Sequence, residues 1–279
     1  MRPRYSFSSR KTGRAREGKN LRKQRGKFPD VVNKVLNGSD ILLEILDARF
    51  VQETRNEEIE KEIKRQKKQI LYVINKMDLN AKAGKELKPK VLVSCKNRVG
   101  IKELRDKIKE IARKIKKVPS KDPKFDKINV GVIGYPNTGK SSLINLLIGK
   151  NSAKTGSEAG FTKGLQKLKL TDKIHLIDSP GVIPKKEYTS VDIEKISAHT
   201  KVGARSFSQV RDPETIVAIL MKEFPNLLQK YYKIKTESSE HLIEKLGRQK
   251  NLLKKGNEVN FDAASRYILQ EWQAGKIKI

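Results

Sequence analysis

Gly134, Gly139, Lys140 and Ser141 stand in the pattern G-x-x-x-x-G-K-[ST] within "GYPNTGKSS". The apolar run "INVGVI" precedes this turn and "SSLINLLIG" follows it, so the glycines join a strand to the start of a helix. That arrangement suits a polyphosphate. The glycines let successive backbone N–H groups of residues 134–142, including those of Asn137, Thr138, Gly139 and Ser142, surround a β-phosphate, and the helix N-terminus adds favourable partial charge. Lys140 would bridge the β- and γ-phosphates, and the Ser141 hydroxyl would coordinate Mg²⁺.

A second phosphate element is "LIDSPG", where Asp178 ends an apolar strand and Gly181 follows. Asp178 can hold Mg²⁺, commonly through water, and the Gly181 N–H can sense a γ-phosphate. Between the two elements, "EAGFTKG" supplies Thr162, which can reach the same Mg²⁺ when γ-phosphate is bound. The catalytic set expected from the sequence is therefore Lys140, Thr162 and Gly181, with Asn137 as the residue that could hold K⁺. No arginine lies in the phosphate loop or in residues 156–164, whereas Asn137 offers a side-chain oxygen where a monovalent cation could offset charge on the β–γ bridge. The alternative for Asn137 is that it only tolerates the backbone geometry of the turn.

A base-reading set stands upstream. In "LYVINKMDLN", Asp78 can accept from guanine N1–H and the exocyclic amine together, a donor pair adenine lacks. Asn75 can support the neighbouring backbone and contact the base edge, and the stem of Lys76 can cover one face of the ring. Ser94, Cys95 and Lys96 of "VSCK" suit a loop whose backbone N–H meets guanine O6, with Cys95 an ordinary small residue there rather than a nucleophile. The order is base, base, phosphate, phosphate. A nucleotide domain cut before "ILLEILDA", with its old ends joined through residues 118–127, would give that order and keep every loop at one sheet edge.

The elements required to hold these loops are legible. Six apolar runs, "ILLEILDA", "QILYVIN", "KVLVSC", "INVGVIG", "LQKLKL" and "KIHLID", alternate with amphipathic stretches, which predicts an α/β fold with a mainly parallel six-stranded sheet. Ile101, Leu104, Ile108, Ile111 and Ile115 mark a helix with one buried face. Beyond about residue 190 the apolar residues recur only at helical spacing. The expected division is a basic arm over residues 1–27, a permuted GTPase domain over 28–190 and a small all-helical domain over 191–279, to which the resemblance given below assigns RNA binding.

Charge narrows the partner. The formal net charge is +30 with 34% charged residues, and the first 27 residues carry 11 Lys or Arg against one Glu. A polyanion is expected, nucleic acid before an anionic membrane surface. No run approaches a membrane span, the first thirty residues lack a signal peptide's apolar centre, and neither chain end carries a lipidation signal, so a soluble cytoplasmic protein is expected. A single cysteine, Cys95, excludes an internal disulfide framework.

With "LDAR" ahead of "NKMD", then "GYPNTGKSS", "GFTKG", "DSPGVI" and the tail "LGRQKNLLKKGNEVNFDAASRYILQEWQAGKI", the chain resembles the circularly permuted ribosome-assembly GTPases of the YlqF/RbgA type. The resemblance covers most of the chain. It implies slow GTP hydrolysis to GDP, raised by the partner and coupled to binding ribosomal RNA on a large-subunit precursor, and it agrees with K⁺ at Asn137. In the tail, Arg248, Lys250, Lys254 and Lys255 are the expected RNA contacts. Val182, where Ras-like enzymes place a water-orienting glutamine, keeps open a second reading: an RNA-binding module that holds GTP as a structural ligand.

Overall fold

A computed structural model describes residues 28–115, 127–149, 166–179, 200–203 and 206–278. The basic arm, most of the 118–127 connector, Thr162, Gly181 and Val182 lie outside the described residues.

Helix α1 (Phe28–Gly38) leads into β1 (Ile41–Asp47), the short α2 (Val51–Thr54), α3 (Glu57–Arg65), β2 (Gln69–Asn75), β3 (Lys90–Leu92), α4 (Ile101–Lys114), β4 (Ile128–Gly134), α5 (Lys140–Ile148), β5 (Gln166–Lys169) and β6 (Ile174–Asp178). The sheet order is β3-β2-β1-β4-β6-β5. All neighbours pair in parallel except β5, which runs antiparallel to β6 at one edge. The strands expected from the sequence are therefore present, the "KVLVSC" run contributing only its first half.

Every residue of β1 is buried, as a strand covered on both faces requires. Ile41, Leu43 and Ile45 face α4 and α5, against Leu104, Ile108, Leu143 and Ile144; Leu42 faces the other way, with Val35, Leu36 and Ile63 of α1 and α3. The α4 face is the one its spacing predicts, with Leu104, Ile108 and Ile111 buried. Gly131 of β4 lets α1 close on the sheet, since a side chain there would strike Ser39, Val35 and Leu42.

The later part of the chain is helical: α6 (Pro213–Glu223), α7 (Leu227–Tyr232), α8 (Ser239–Gln249) and α9 (Phe261–Gln273). Asp212, Ser238 and Asn260 cap α6, α8 and α9 with side-chain oxygens, and Pro213 opens α6. The core of this unit gathers on Trp272 and also takes in Phe50 and Tyr135 from the loops after β1 and β4. The helical unit thus packs on the loop edge of the sheet.

Candidate functional site

Because β3, β2, β1, β4 and β6 are parallel, their C-terminal ends share one edge. The chain runs outward from β1 to β3, then returns to place β4 on the other side of β1. The order of strands reverses between β1 and β4, the place where open α/β sheets bind ligands. The loop after β4 is the Gly134–Lys140 turn, so the phosphate motif sits at this reversal.

Its backbone shows why glycine stands where it does. Gly134 (φ 149°) and Gly139 (φ 96°) have positive φ. A Cβ at Gly134 would lie 2.5 Å from the Ile45 carbonyl oxygen, and one at Gly139 would collide with the Asn75 amide nitrogen. Lys140 folds back over the loop, donating to the Gly134 and Tyr135 carbonyls at 3.0 and 2.6 Å. Burial pushes its ammonium down to about 8, against the pull of Asp178. A phosphate anion beside it would favour the charged form further. Thr138 donates to the Tyr135 carbonyl at 2.9 Å, closing the turn from inside. Ser141 and Ser142 are half-buried in the first turn of α5.

Asp178 is wholly buried at the end of β6, and neither of its carboxylate oxygens has a hydrogen-bond partner among the described residues. Burial raises its carboxyl to about 6, opposed by Lys140. Ser179 beside it donates to the Val132 carbonyl at 2.6 Å, holding the strand end. An orphaned buried carboxylate of this kind fits a divalent cation. Among the described residues no cluster of three or more His, Cys, Asp or Glu could hold a metal by itself. Mg²⁺ would need none, since it retains waters and takes phosphate oxygens, and Ser141 and Asp178 are the residues that would hold it.

The residues expected to read the base lie at the adjoining strand ends. Asn75, buried at the end of β2, donates to the Thr138 carbonyl at 2.8 Å and accepts from the Cys95 N–H at 3.1 Å. It ties the phosphate loop to the "SCK" loop, so support of the backbone is its observed role. Asp78 accepts from the Ser94 hydroxyl at 2.6 Å, and that hydroxyl accepts from the Asn97 N–H at 3.1 Å, which orients the carboxylate. Burial pushes the Cys95 thiol up to about 12, as an unreactive small residue requires. Lys96 is exposed. Lys76 takes a positive φ of 63° and pairs with Asp47 at 2.7 Å. Asn137 also has a positive φ, 60°, and its amide nitrogen donates to the Gly203 carbonyl at 2.8 Å. The turn-geometry reading of Asn137 has direct support in that φ.

Two residues of the site had no assigned role in the sequence. Asp47 and Arg49 are visible in the sequence only as "LDAR"; an acid followed by a base at the end of a fully buried strand is the available signal. The tail residues Arg248, Lys250, Lys254 and Lys255 are all exposed, Arg248 pairing with Glu244 at 3.3 Å and Lys250 lying 5.6 Å from the centre of the Tyr267 ring. They occupy the end of α8 and the turn after it.

A family profile described as "50S ribosome-binding GTPase" matches residues 129–253. An uncharacterized GTP-binding protein of Methanocaldococcus jannaschii is 37% identical over 258 residues, covering 88% of this chain and 65% of the relative. Nucleolar GTP-binding protein 2 of Neurospora crassa is 32% identical, covering 88% of this chain and 40% of the relative. The chain thus spans less than two thirds of the length of these curated relatives. Among solved structures, GNP-bound YlqF from T. maritima superposes with a TM-score of 0.61 at 21% identity, over 90% of this chain and 94% of that one. No helix among the described residues is long and apolar enough to cross a membrane. With the "NKMD" strand ahead of the phosphate loop and its sheet in the order found here, the chain has the circularly permuted P-loop GTPase fold that YlqF also shows, and its residues 129–253 match the 50S ribosome-binding GTPase family.

Proposed function

We propose that the protein binds and hydrolyses GTP while bound to ribosomal RNA on a large-subunit precursor, and that hydrolysis drives its release. The observation that carries the nucleotide half is the Asn75 strut: one buried amide joins the loop suited to guanine O6 to the loop suited to the β-phosphate, which sets their spacing for a single guanine nucleotide. Lys140 supplies positive charge at the phosphates, and Mg²⁺ held by Ser141 and Asp178 would neutralise charge developing between the β- and γ-phosphoryl groups. Thr162 and Gly181 complete the γ-phosphate contacts in this reading. The RNA half rests on the net charge of +30, the basic arm and the exposed Arg248, Lys250, Lys254 and Lys255.

K⁺ at Asn137 belongs to the same reading. Its amide nitrogen is engaged by Gly203, so the amide oxygen is the atom a cation would take. GTP turnover compared in KCl and NaCl at equal ionic strength tests this: a K⁺ advantage lost in Asn137→Ala supports it, and equal rates removes it. For the function as a whole, GTP turnover is measured with immature large subunits, with mature ones and with neither. Stimulation by the particle is the expected result. Hydrolysis that no particle raises would favour the module that holds GTP as a structural ligand.

A further inference from the structure

Asp47 ends β1 at the point where the strand order reverses, and it is completely buried. Its Oδ1 accepts from the Arg49 backbone N–H at 3.0 Å and from Arg49 Nε at 3.1 Å, while Oδ2 accepts from Arg49 Nη2 at 2.8 Å and Lys76 Nζ at 2.7 Å. Its own N–H donates to the Thr54 hydroxyl at 3.2 Å, which pins the backbone as well. Burial alone would raise the Asp47 carboxyl, but the Lys76 and Arg49 charges hold it well below the ordinary carboxylate range.

The Arg49 side chain is 1% exposed and has one more obligation. Its Nη1 donates to the Trp272 carbonyl at 2.9 Å, across 223 residues. That carbonyl belongs to the last turn of α9, where the helix dipole presents its negative end; it accepts from the Gly275 N–H at 3.0 Å, and Arg49 takes its second lone pair. The guanidinium therefore sits between a buried carboxylate and a helix C-terminus, and either one alone would leave it partly unpaired. The base-reading loop touches the same helix end directly: Leu79 packs so closely on Gly275 that a Cβ there would lie 2.9 Å from Leu79 Cδ1.

We propose that Asp47 and Arg49 are positioning residues for guanine recognition that couple it to docking of the helical unit: the end of α9 sets Arg49, Arg49 sets Asp47, and Asp47 sets Lys76 against the base. This rests on the reading of the sheet edge as a GTP site. Coupling of this kind is reciprocal, so guanine nucleotide favours the docked helical unit by the factor by which docking favours the nucleotide. It enters from the base side and is independent of any motion after Asp178.

The chain carries its own reporter. Trp272 is its single tryptophan, buried between Phe50 and Phe224 with ring centres 6.1 and 5.2 Å away, and its indole N–H donates to the Lys201 carbonyl at 2.9 Å. GDP affinity is measured by calorimetry for the wild type, Arg49→Gln, Lys76→Met and the double variant, together with acrylamide quenching of Trp272 with and without saturating GDP. Arg49→Gln is expected to weaken GDP about tenfold in the wild-type background and less than twofold when Lys76 is already Met, the non-additivity of residues in one network. Trp272 in Arg49→Gln is expected to be more open to quencher, with GDP no longer protecting it. Should Arg49→Gln not fold by circular dichroism, Arg49→Lys runs the same cycle, because one ammonium cannot serve Asp47 in bidentate fashion and Trp272 as well. Equal losses in both backgrounds, or unchanged affinity and quenching, would overturn the coupling and leave Arg49 a structural residue. A wild type that does not bind GDP at all would overturn the functional reading, and this one with it.

Discussion

Replacing Asn75 by alanine tests the strut at its narrowest point. The side chain serves two loops at once, donating to the Thr138 carbonyl and accepting from the Cys95 N–H. Thr138 is fully buried, so its carbonyl would lose a partner where water does not readily replace it, at a cost of ~2 kcal/mol. Cys95 is half-buried, and its amide recovers part of the loss from solvent, leaving ~1 kcal/mol or less. The total of ~2–3 kcal/mol corresponds to a GDP affinity about 30- to 150-fold weaker if it falls on the bound state. Nothing large fills the space, and Gly139, which needs its missing Cβ because Asn75 stands there, would gain room. Calorimetric titration with GDP measures the affinity, and thermal unfolding without nucleotide separates loss of stability from loss of binding. Asn75→Asp provides the second arm: a carboxylate still accepts from Cys95 but opposes the Thr138 carbonyl with like partial charge, so it should not rescue binding. GDP affinity within threefold of wild type in Asn75→Ala would refute the view that this amide sets the spacing of the two loops.

Asp78→Asn turns an acceptor toward guanine's N1–H and amine into a mixed group, so GTP binding at micromolar concentration should vanish and xanthosine nucleotides become acceptable; unchanged GTP affinity by calorimetry would mean that "NKMD" does not read the base. Burial raises the carboxyl of Glu44, which is fully enclosed in β1 and accepts from the Asn56 N–H at 2.8 Å. A raised folded-state value means that the folded chain holds the proton longer than the unfolded one, so this contribution is complete below the ordinary value of 4.5 and is lost as pH rises above it. The melting temperature of Glu44→Gln relative to wild type should therefore climb with pH above that value, and a constant difference would exclude it. Deleting residues 1–27 should make the salt dependence of binding to ribosomal particles less steep, measured as the slope of log affinity against log salt, whereas a flat response in the intact chain would remove the phosphate-backbone role.

The phosphate loop was readable because its physics is local. The two positive-φ glycines, the lysine that folds back on them and the strand and helix on either side are consecutive in the chain, so residue type and spacing carry the geometry. The same holds for the alternation of apolar runs and amphipathic helices, from which the α/β class and the buried face of α4 followed directly. Even the permuted order was a property of the linear sequence, since it needed only the recognition of four loops in the wrong succession. What tertiary structure alone decided is how distant residues share partners. Asn75 could be assigned a supporting role, but not the Thr138 carbonyl, 63 residues away, as its acceptor. Lys76 read as a ring cover, and its anchor on Asp47 depended on β1 and β2 pairing in the register that puts Asp47 beside Asn75. Arg49 carried no role until the end of α9 arrived at the sheet edge and offered the Trp272 carbonyl. A hydrogen bond between residues far apart leaves no periodicity and no spacing in the sequence; it exists only because packing brings one donor and one acceptor to the same buried place, where each must find the other or lose the water it had.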